Sequence, residues 1–196
     1  MRQESPQLNT LVLQRSAYLE DASFSDLEGF DYLQSQSRVR IGHGTFEASS
    51  FRSVTIGPRS FVGQKAFAGL QNLSLLTLNA NVGLSTEAFH GCSRLRMLVL
   101  KGAIGRIAIS AFSGCDNLRL VALSYECFTW LRASSVNVRR LIRLRIMLPR
   151  CRFVLVPPRP SRCIDLKAFR RFGGQGAIGL KVVQGQSSRP LASLSI

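Results

Sequence analysis

Histidine and cysteine are the residue types of this chain that could do chemistry, and the sequence contains two histidines and five cysteines. His43 lies in a Gly-His-Gly triplet that is typical of a turn, and His90 occupies a variable position that we expect to be exposed. No serine or cysteine is tied to either histidine by spacing, so a hydrolase triad has no support. Cys127, Cys151 and Cys163 are 24 and 12 residues apart, which fits no zinc-binding pattern.

Two further patterns are typical of ligand sites but lack the rest of their motif. Gly174, Gly176 and Gly179 match the GxGxxG fingerprint, which also needs an acidic residue about 20 positions further on. Asp165 is the last acidic residue of the chain, so we interpret the match as a coincidence. The carboxylates of residues 20–31 lack the spacing of an EF-hand and are interpreted as a solvated acidic edge. The sequence therefore predicts no enzyme activity, no metal and no cofactor.

The elements that must position any site follow from a short repeat of nearly constant length. Its markers are five phenylalanines, each preceded directly by Ser, Thr or Ala and, five positions earlier, by an aliphatic residue: Phe24, Phe46, Phe67, Phe89 and Phe112. A repeat of this length predicts the stacked coils of a solenoid rather than a globule with one wrapped core. Such an architecture favours a recognition surface over catalysis.

Leucine-type residues follow the last three of these phenylalanines at fixed offsets, in the pattern Leu-x-x-Leu-x-Leu. They are Leu73, Leu76, Leu78; Leu95, Leu98, Leu100; and Leu118, Val121, Leu123. The pattern predicts one strand per coil, buried on one side and paired in parallel with the strands of neighbouring coils. Gly69, Gly91 and Gly114, two residues after each Phe, predict a tight bend with positive φ. Cys92 and Cys115 follow two of these glycines and are predicted to be reduced core residues.

The repeat divides the chain into three parts. Residues 1–123 are predicted to form the solenoid, with about five to six coils that are clearest over 62–123. Residues 124–183 are predicted to be a degenerate, basic continuation or cap, and 184–196 a flexible tail. Within the second part, a further strand is expected to contain Leu141, Leu144 and Ile146. A later one is expected to place Ile178 and Leu180 at the last two ladder positions, after a weak copy that contains Ile164 and Phe169.

The repeated motif I-x-x-x-A-F-x-G-C-x-x-L-x-x-L-x-L resembles the BspA-type leucine-rich repeat. The match is best over 62–123 and extends over 19–123. The resemblance implies a curved solenoid with a parallel β-sheet on its concave face and loops or short helical turns on its convex arc. It also implies a non-enzymatic protein that binds protein ligands, in a family of surface or secreted adhesion proteins.

Residues between the ladder leucines are predicted to point out from the sheet toward a ligand on the concave face. The candidate protein-binding residues are Leu75, Thr77, Met97, Val99, Leu120 and Ala122. The same stripe is predicted to continue to Arg143 and Arg145, and in the other direction to Ser53 and Thr55 and to Tyr32 and Gln34. Its centre is apolar, and an exposed patch of that kind often marks a protein-binding site.

The net charge of +15 is concentrated at the C-terminal end of the chain. Residues 124–196 carry 14 basic and 2 acidic side chains, against 12 and 9 in residues 1–123. The candidate basic surface consists of Arg139, Arg140, Arg143, Arg145, Arg150 and Arg152. An alternative function is therefore a basic intracellular binder of nucleic acid or of an acidic partner. A third interpretation is a degenerate fragment of a longer repeat protein with no function of its own.

The sequence leaves the location of the protein open. The segment from Met1 to Gln14 contains no long apolar run, so we see no secretory signal. No stretch reaches the roughly 18 uninterrupted apolar residues of a membrane span. The resemblance favours the cell surface or secretion, and the cytoplasm is the alternative. A disulfide-stapled C-terminal cap would require export.

Overall fold

The computed structural model describes residues 9–156 and 180–182. In chain order, the elements are β1 (Thr10–Leu13), β2 (Ala17–Leu19), β3 (Tyr32–Ser35), β4 (Val39–Ile41), β5 (Ser53–Ile56), β6 (Phe61–Val62), β7 (Leu75–Leu78), β8 (Gly83–Leu84), β9 (Met97–Leu100), β10 (Leu120–Ser124), α1 (Tyr125–Ala133), α2 (Ser135–Met147), β11 (Arg152–Val156) and β12 (Leu180–Val182). The main sheet has eight strands in the order β1-β3-β5-β7-β9-β10-β11-β12, and the second sheet has the order β2-β4-β6-β8.

All strand pairs of the main sheet are parallel, and the ladder residues set their register. Leu76 lies opposite Leu98, which lies opposite Val121, and all three side chains are buried. The ladder residues therefore form continuous apolar rows that run from coil to coil under the sheet. The predicted repeat solenoid, with one main-sheet strand per coil, is confirmed.

The repeated phenylalanines form a single stack along the axis of the solenoid, which we call the phenylalanine stack. Centroids of successive rings are 5.4, 5.2, 5.1 and 5.8 Å apart, and the ring planes differ by 5° to 15°. Phe46, Phe67 and Phe89 are fully buried, whereas Phe24 at the end of the stack is 39% exposed. Each coil thus covers the phenylalanine ring of its neighbour. A single coil cannot bury its own apolar face, so the stack depends on neighbouring coils.

The bend two residues after each Phe has the backbone conformation that its glycines predict. Gly69, Gly91 and Gly114 have φ of 70°, 68° and 73°. Asp26 and Ala48 occupy the same position with φ of 54° and 56°. The repeat therefore imposes the left-handed conformation on every coil, even where the sequence provides a side chain that does not favour it.

The arc opposite the main sheet contains the second sheet, which the sequence did not predict. Its strands are two or three residues long and contain the aliphatic residues five positions before Phe: Leu19, Ile41, Val62 and Leu84. The fifth such residue, Ile107, forms an isolated parallel bridge with Leu84. The coils are therefore joined by backbone hydrogen bonds on both sides of the core.

The structure overturns the prediction of a strand at residues 141–146. These residues belong to α2, and the next strand of the main sheet is β11, which pairs Val121 with Phe153. Leu141 and Leu144 are three residues apart, so they share one helix face and are buried there, while Ile146 is 74% exposed. The coil after β10 is therefore longer than the others and closes its arc with two helices.

A second register prediction is also wrong. In β12, Leu180 lies opposite Phe153, so Leu180 takes the second ladder position and not the last one. Ile178, Ile164 and Phe169 lie outside the described residues. The sheet nevertheless continues through β11 and β12, within the part of the chain that was predicted to be a degenerate continuation.

Candidate protein-binding surface

The outer face of the main sheet carries two rows of side chains that alternate with the buried ladder residues. The parallel register places Leu75, Met97 and Leu120 side by side in one row. In the neighbouring row, Val99 lies between Thr77 and Ala122 in the same way. Adjacent side chains in a row are roughly 5 Å apart because that is the spacing of paired strands.

Burial divides the six candidate residues into two groups. Leu75, Met97, Val99 and Leu120 are half-buried and reach the surface, and we call these four residues the apolar patch. Thr77 is only 7% exposed and Ala122 only 5%. A ligand on this face would therefore touch the apolar patch directly and contact Thr77 and Ala122 little.

The apolar patch is bordered by polar residues of the same sheet. Ser53 lies opposite Leu75 on one side, followed by the exposed Tyr32. On the other side, Leu120 lies opposite the exposed Arg152 of β11. An apolar centre with a polar border is the usual composition of a protein interface.

The predicted continuation of this stripe to Arg143 and Arg145 is wrong. Both arginines lie on α2, because residues 141–146 are helical and β11 provides the next strand. Arg152 takes the place that Arg143 was expected to have. The prediction assumed that the repeat length stays constant, but the coil between β10 and β11 is longer than the preceding coils.

The family described as the BspA type leucine rich repeat region matches residues 3–119 in six copies. The chain belongs to this family. No curated protein and no solved structure matches the chain significantly. The matched range contains the phenylalanine stack and the main-sheet strands β1 to β9, whereas β10, α1, α2, β11 and β12 lie beyond it.

Membership in the BspA-type repeat family indicates a protein-interaction module, and leucine-rich repeats are generally non-enzymatic. Neither helix among the described residues combines the length and the apolar character that a bilayer-crossing helix needs. Within the same residues, no group of three or more His, Cys, Asp or Glu side chains has the arrangement of a metal site.

One histidine of this BspA-type repeat protein does contact a serine, although spacing alone did not show it. His90 Nδ1 lies 2.9 Å from Ser113 Oγ, one coil further on. Ser113 Oγ donates its hydrogen to the Ser110 carbonyl oxygen at 2.9 Å. The two contacts link His90 to the following coil through the Ser113 side chain. His43 lies in the predicted turn, where its backbone N–H donates to Asp21 Oδ1 at 2.7 Å.

The cysteines of the described residues are buried free thiols. Cys92 Sγ donates to the Phe67 carbonyl oxygen at 3.2 Å, and Cys115 Sγ donates to the Phe89 carbonyl oxygen at 3.1 Å. Interaction with the neighbouring Cys115 thiol, together with burial, raises the pKa of the Cys92 thiol. These contacts make both cysteines part of the core, as predicted, and keep Cys92 a neutral thiol rather than a nucleophile.

The other two described cysteines lie in the long coil. Burial raises the pKa of Cys127 to about 12 and also raises the pKa of Cys151. Cys151 Sγ donates to the Leu118 carbonyl oxygen at 3.2 Å, the same kind of contact that Cys92 and Cys115 make. Cys163 and the GxGxxG glycines lie outside the described residues.

The six candidate arginines do not form one surface. Arg140 donates to the Ile104 carbonyl oxygen, and the guanidinium carbon of Arg145 lies 5.3 Å from the centroid of the Phe153 ring. Arg152 belongs to the main sheet. The remaining three, Arg139, Arg143 and Arg150, are exposed at α2 and just after it. Of the six, these three are therefore the ones that lie exposed together at α2 and the turn after it.

Sequence reasoning assigned no candidates to the second sheet, yet its outer face carries exposed aromatic and cationic residues. Tyr18, Arg40 and Phe61 lie opposite one another on β2, β4 and β6. The guanidinium carbon of Arg40 is 5.8 Å from the centroid of the Phe61 ring. Each of the three directly precedes the repeated aliphatic residue, so aligning the coils on that residue could have found them.

Proposed function

We propose that this BspA-type repeat protein binds a protein ligand through the outer face of its main sheet, with the apolar patch at the centre of the interface. The observation that carries the proposal is the register of β7, β9 and β10. This register brings half-exposed Leu75, Met97 and Leu120 into one row, with Val99 beside them. Methionine and leucine side chains adapt well to a partner surface, and methionine is common at such interfaces.

The size of this face is compatible with a specific interface. From Tyr32 on β3 to Arg152 on β11 there are six paired strands, which span roughly 24 Å at the usual spacing. A standard interface buries about 800 Å² on each partner, more than the apolar patch alone can supply. The polar border from Tyr32 to Arg152 therefore belongs to the proposed contact area, and the apolar patch is its energetic centre.

The finer form of the proposal is an adhesion-type role, in which the ligand is a surface or matrix protein. Its support is the resemblance to adhesion proteins of the same repeat type. The proposed chemistry is binding alone, which agrees with the generally non-enzymatic character of leucine-rich repeats and with the burial of the described thiols.

Paired charge substitutions test the proposal. Proteins retained on the immobilised full chain from an extract are identified, produced separately and titrated against three forms of the protein. The double variant Met97→Glu with Leu120→Glu places two charges in the apolar patch. The double variant Tyr18→Glu with Ile109→Glu adds the same charge at two well-exposed positions outside the main sheet.

We expect the patch variant to raise Kd by roughly 100-fold or more, because each substitution buries a charge at a central position of the interface. The control variant should bind within about threefold of the natural sequence, as expected for changes away from an interface. The affinity should change little with added salt, in contrast to phosphate contacts. Equal loss in both variants, or none in the patch variant, would refute the proposal.

A further inference from the structure

The outer face of α2 combines exposed apolar and cationic side chains. Val136, Ile142 and Ile146 are 50%, 41% and 74% exposed, and Arg139 and Arg143 are exposed between them. At 100° per residue, these five positions lie within roughly 120° of the helix circumference. The opposite face, with Asn137, Leu141 and Leu144, is buried against the protein. We call the five exposed residues the α2 stripe.

The charged residues of α2 and of the segments next to it in the sequence are all arginines. The sequence contains no acidic residue between Glu126 and Asp165. Of the two ion pairs within residues 9–156, Arg52–Asp31 and Lys65–Glu87, neither involves an arginine of α2. Arg150, which is exposed just after the helix, adds a third cation to Arg139 and Arg143.

A partner of this stripe must supply both anionic groups and apolar contact. Nucleic acid supplies phosphates, but its backbone offers no apolar surface for Ile142 and Ile146. An acidic protein segment that covers a protruding helix needs a matching groove. An anionic lipid bilayer supplies phosphate or carboxylate headgroups for arginines and acyl chains for aliphatic side chains on one flat surface, so it fits both features without a groove.

We propose that the α2 stripe binds the surface of membranes that contain anionic phospholipids, with α2 lying in the plane of the interface. The arginines contact headgroups, while Val136, Ile142 and Ile146 enter the boundary with the acyl chains. The contact is reversible because five side chains from one helix give a moderate affinity. The α2 stripe shares no residue with the apolar patch, so this proposal does not depend on the protein ligand.

The test is co-sedimentation of the full chain with vesicles of phosphatidylcholine alone and of phosphatidylcholine mixed with phosphatidylserine. We expect binding to the mixed vesicles only. The double variant Arg139→Gln with Arg143→Gln should weaken it roughly 30-fold, which is about 1 kcal/mol for each arginine near the surface. Ile146→Ser should weaken it about tenfold through lost apolar contact.

Two control variants keep the test specific to α2. Arg38→Gln with Arg40→Gln removes the same charge from two exposed positions, one on β4 and one directly before it. Ile109→Ser matches Ile146→Ser, since Ile109 is 69% exposed. Both controls should bind within about twofold of the natural sequence, because they lie outside the proposed contact. Circular dichroism of each variant checks that α2 remains folded, as glutamine is a good helix former.

Three results would overturn the proposal. One is the absence of binding to mixed vesicles by the natural sequence. Another is an equal loss of binding in the Arg38/Arg40 control, which would show an effect of net charge alone. The third is binding of a single-stranded oligonucleotide that depends on Arg139 and Arg143 but not on Ile146, together with loss of vesicle binding when the oligonucleotide is added.

Discussion

Replacement of Phe89 by alanine removes one ring from the middle of the phenylalanine stack. Phe89 is fully buried, and its centroid lies 5.1 Å from that of Phe67 and 5.8 Å from that of Phe112. The change creates a cavity between two coils and ends ring contact on both sides. Phe89 also supplies the carbonyl oxygen that accepts from Cys115 Sγ, but this backbone contact survives the substitution.

We expect Phe89→Ala to lower the free energy of unfolding by about 3–5 kcal/mol, the usual range for a buried Phe replaced by alanine. Phe24→Ala is the matched control. Phe24 is 39% exposed and stacks on one ring only, that of Phe46 at 5.4 Å. Its loss should cost about 1–2 kcal/mol, because part of its surface already contacts water and only one stacking contact ends.

Urea titration of the full chain, followed by far-UV circular dichroism, measures both free energies. The comparison is sharper than either value, since the two substitutions remove the same atoms from the same position of the repeat. A cost for Phe24→Ala equal to that for Phe89→Ala would refute the reasoning. A cost below about 1.5 kcal/mol for Phe89→Ala would also do so, because it lies under the range for a buried aromatic side chain.

Three further outcomes are expected from equilibrium unfolding. Ala48→Gly should stabilise the protein by about 1 kcal/mol, because Ala48 has a positive φ that glycine adopts without strain. Gly69→Ala should destabilise it by about the same amount through its positive φ alone, since a Cβ at Gly69 would meet only ordinary contacts. Burial raises the pKa of Cys127 from 9.0 to about 12, so the free energy of unfolding should fall between these pH values as the thiol of the unfolded chain ionises. Urea titrations at a pH below and a pH above this window should show a smaller fall for Cys127→Ala. Arg140→Gln should cost about 1–2 kcal/mol by removing a charged hydrogen bond to the Ile104 carbonyl oxygen.

The repeated part of the fold could be predicted because the same pattern of apolar residues recurs in successive coils. The ladder pattern around Leu76, Leu98 and Val121 determines which side of each strand is buried, and the parallel register follows from stacking equivalent positions. The bend at Gly69 and Gly91 could be predicted because glycine marks positive φ. Ala48 shows the limit of that signal, since it also has a positive φ although it is not a glycine.

The sequence could not predict the arcs that vary between coils. Leu141 and Leu144 are three residues apart, and this spacing fits both a buried helix face and the first two ladder positions of a strand. Ser124 is the N-cap of α1, and its Oγ accepts a hydrogen bond from the backbone N–H of Cys127. Such a cap is a local helix signal that the repeat pattern does not contain. The strands of the second sheet contain two or three residues, which is too short for an alternating pattern.

The candidate surface could be predicted in position but not in exposure. Alternation along each strand correctly placed Leu75, Met97 and Leu120 on the outer face. Thr77 and Ala122 share that face but are buried, because their exposure depends on the size of neighbouring side chains that the strand pattern does not describe. The sequence does not reveal the α2 stripe, because the repeat spacing predicts a strand at residues 141–146.

Methyl resonances of methionine test the proposed protein-binding face most directly. The chain contains three methionines: Met97 lies in the apolar patch, Met147 is half-buried at the end of α2, and Met1 lies outside the described residues. On titration of methyl-labelled full chain with the captured protein ligand, we predict that the Met97 methyl signal shifts or broadens while that of Met147 is unchanged. An unchanged Met97 signal at saturating ligand would contradict the account, and a change at Met147 alone would place the protein ligand on α2 instead.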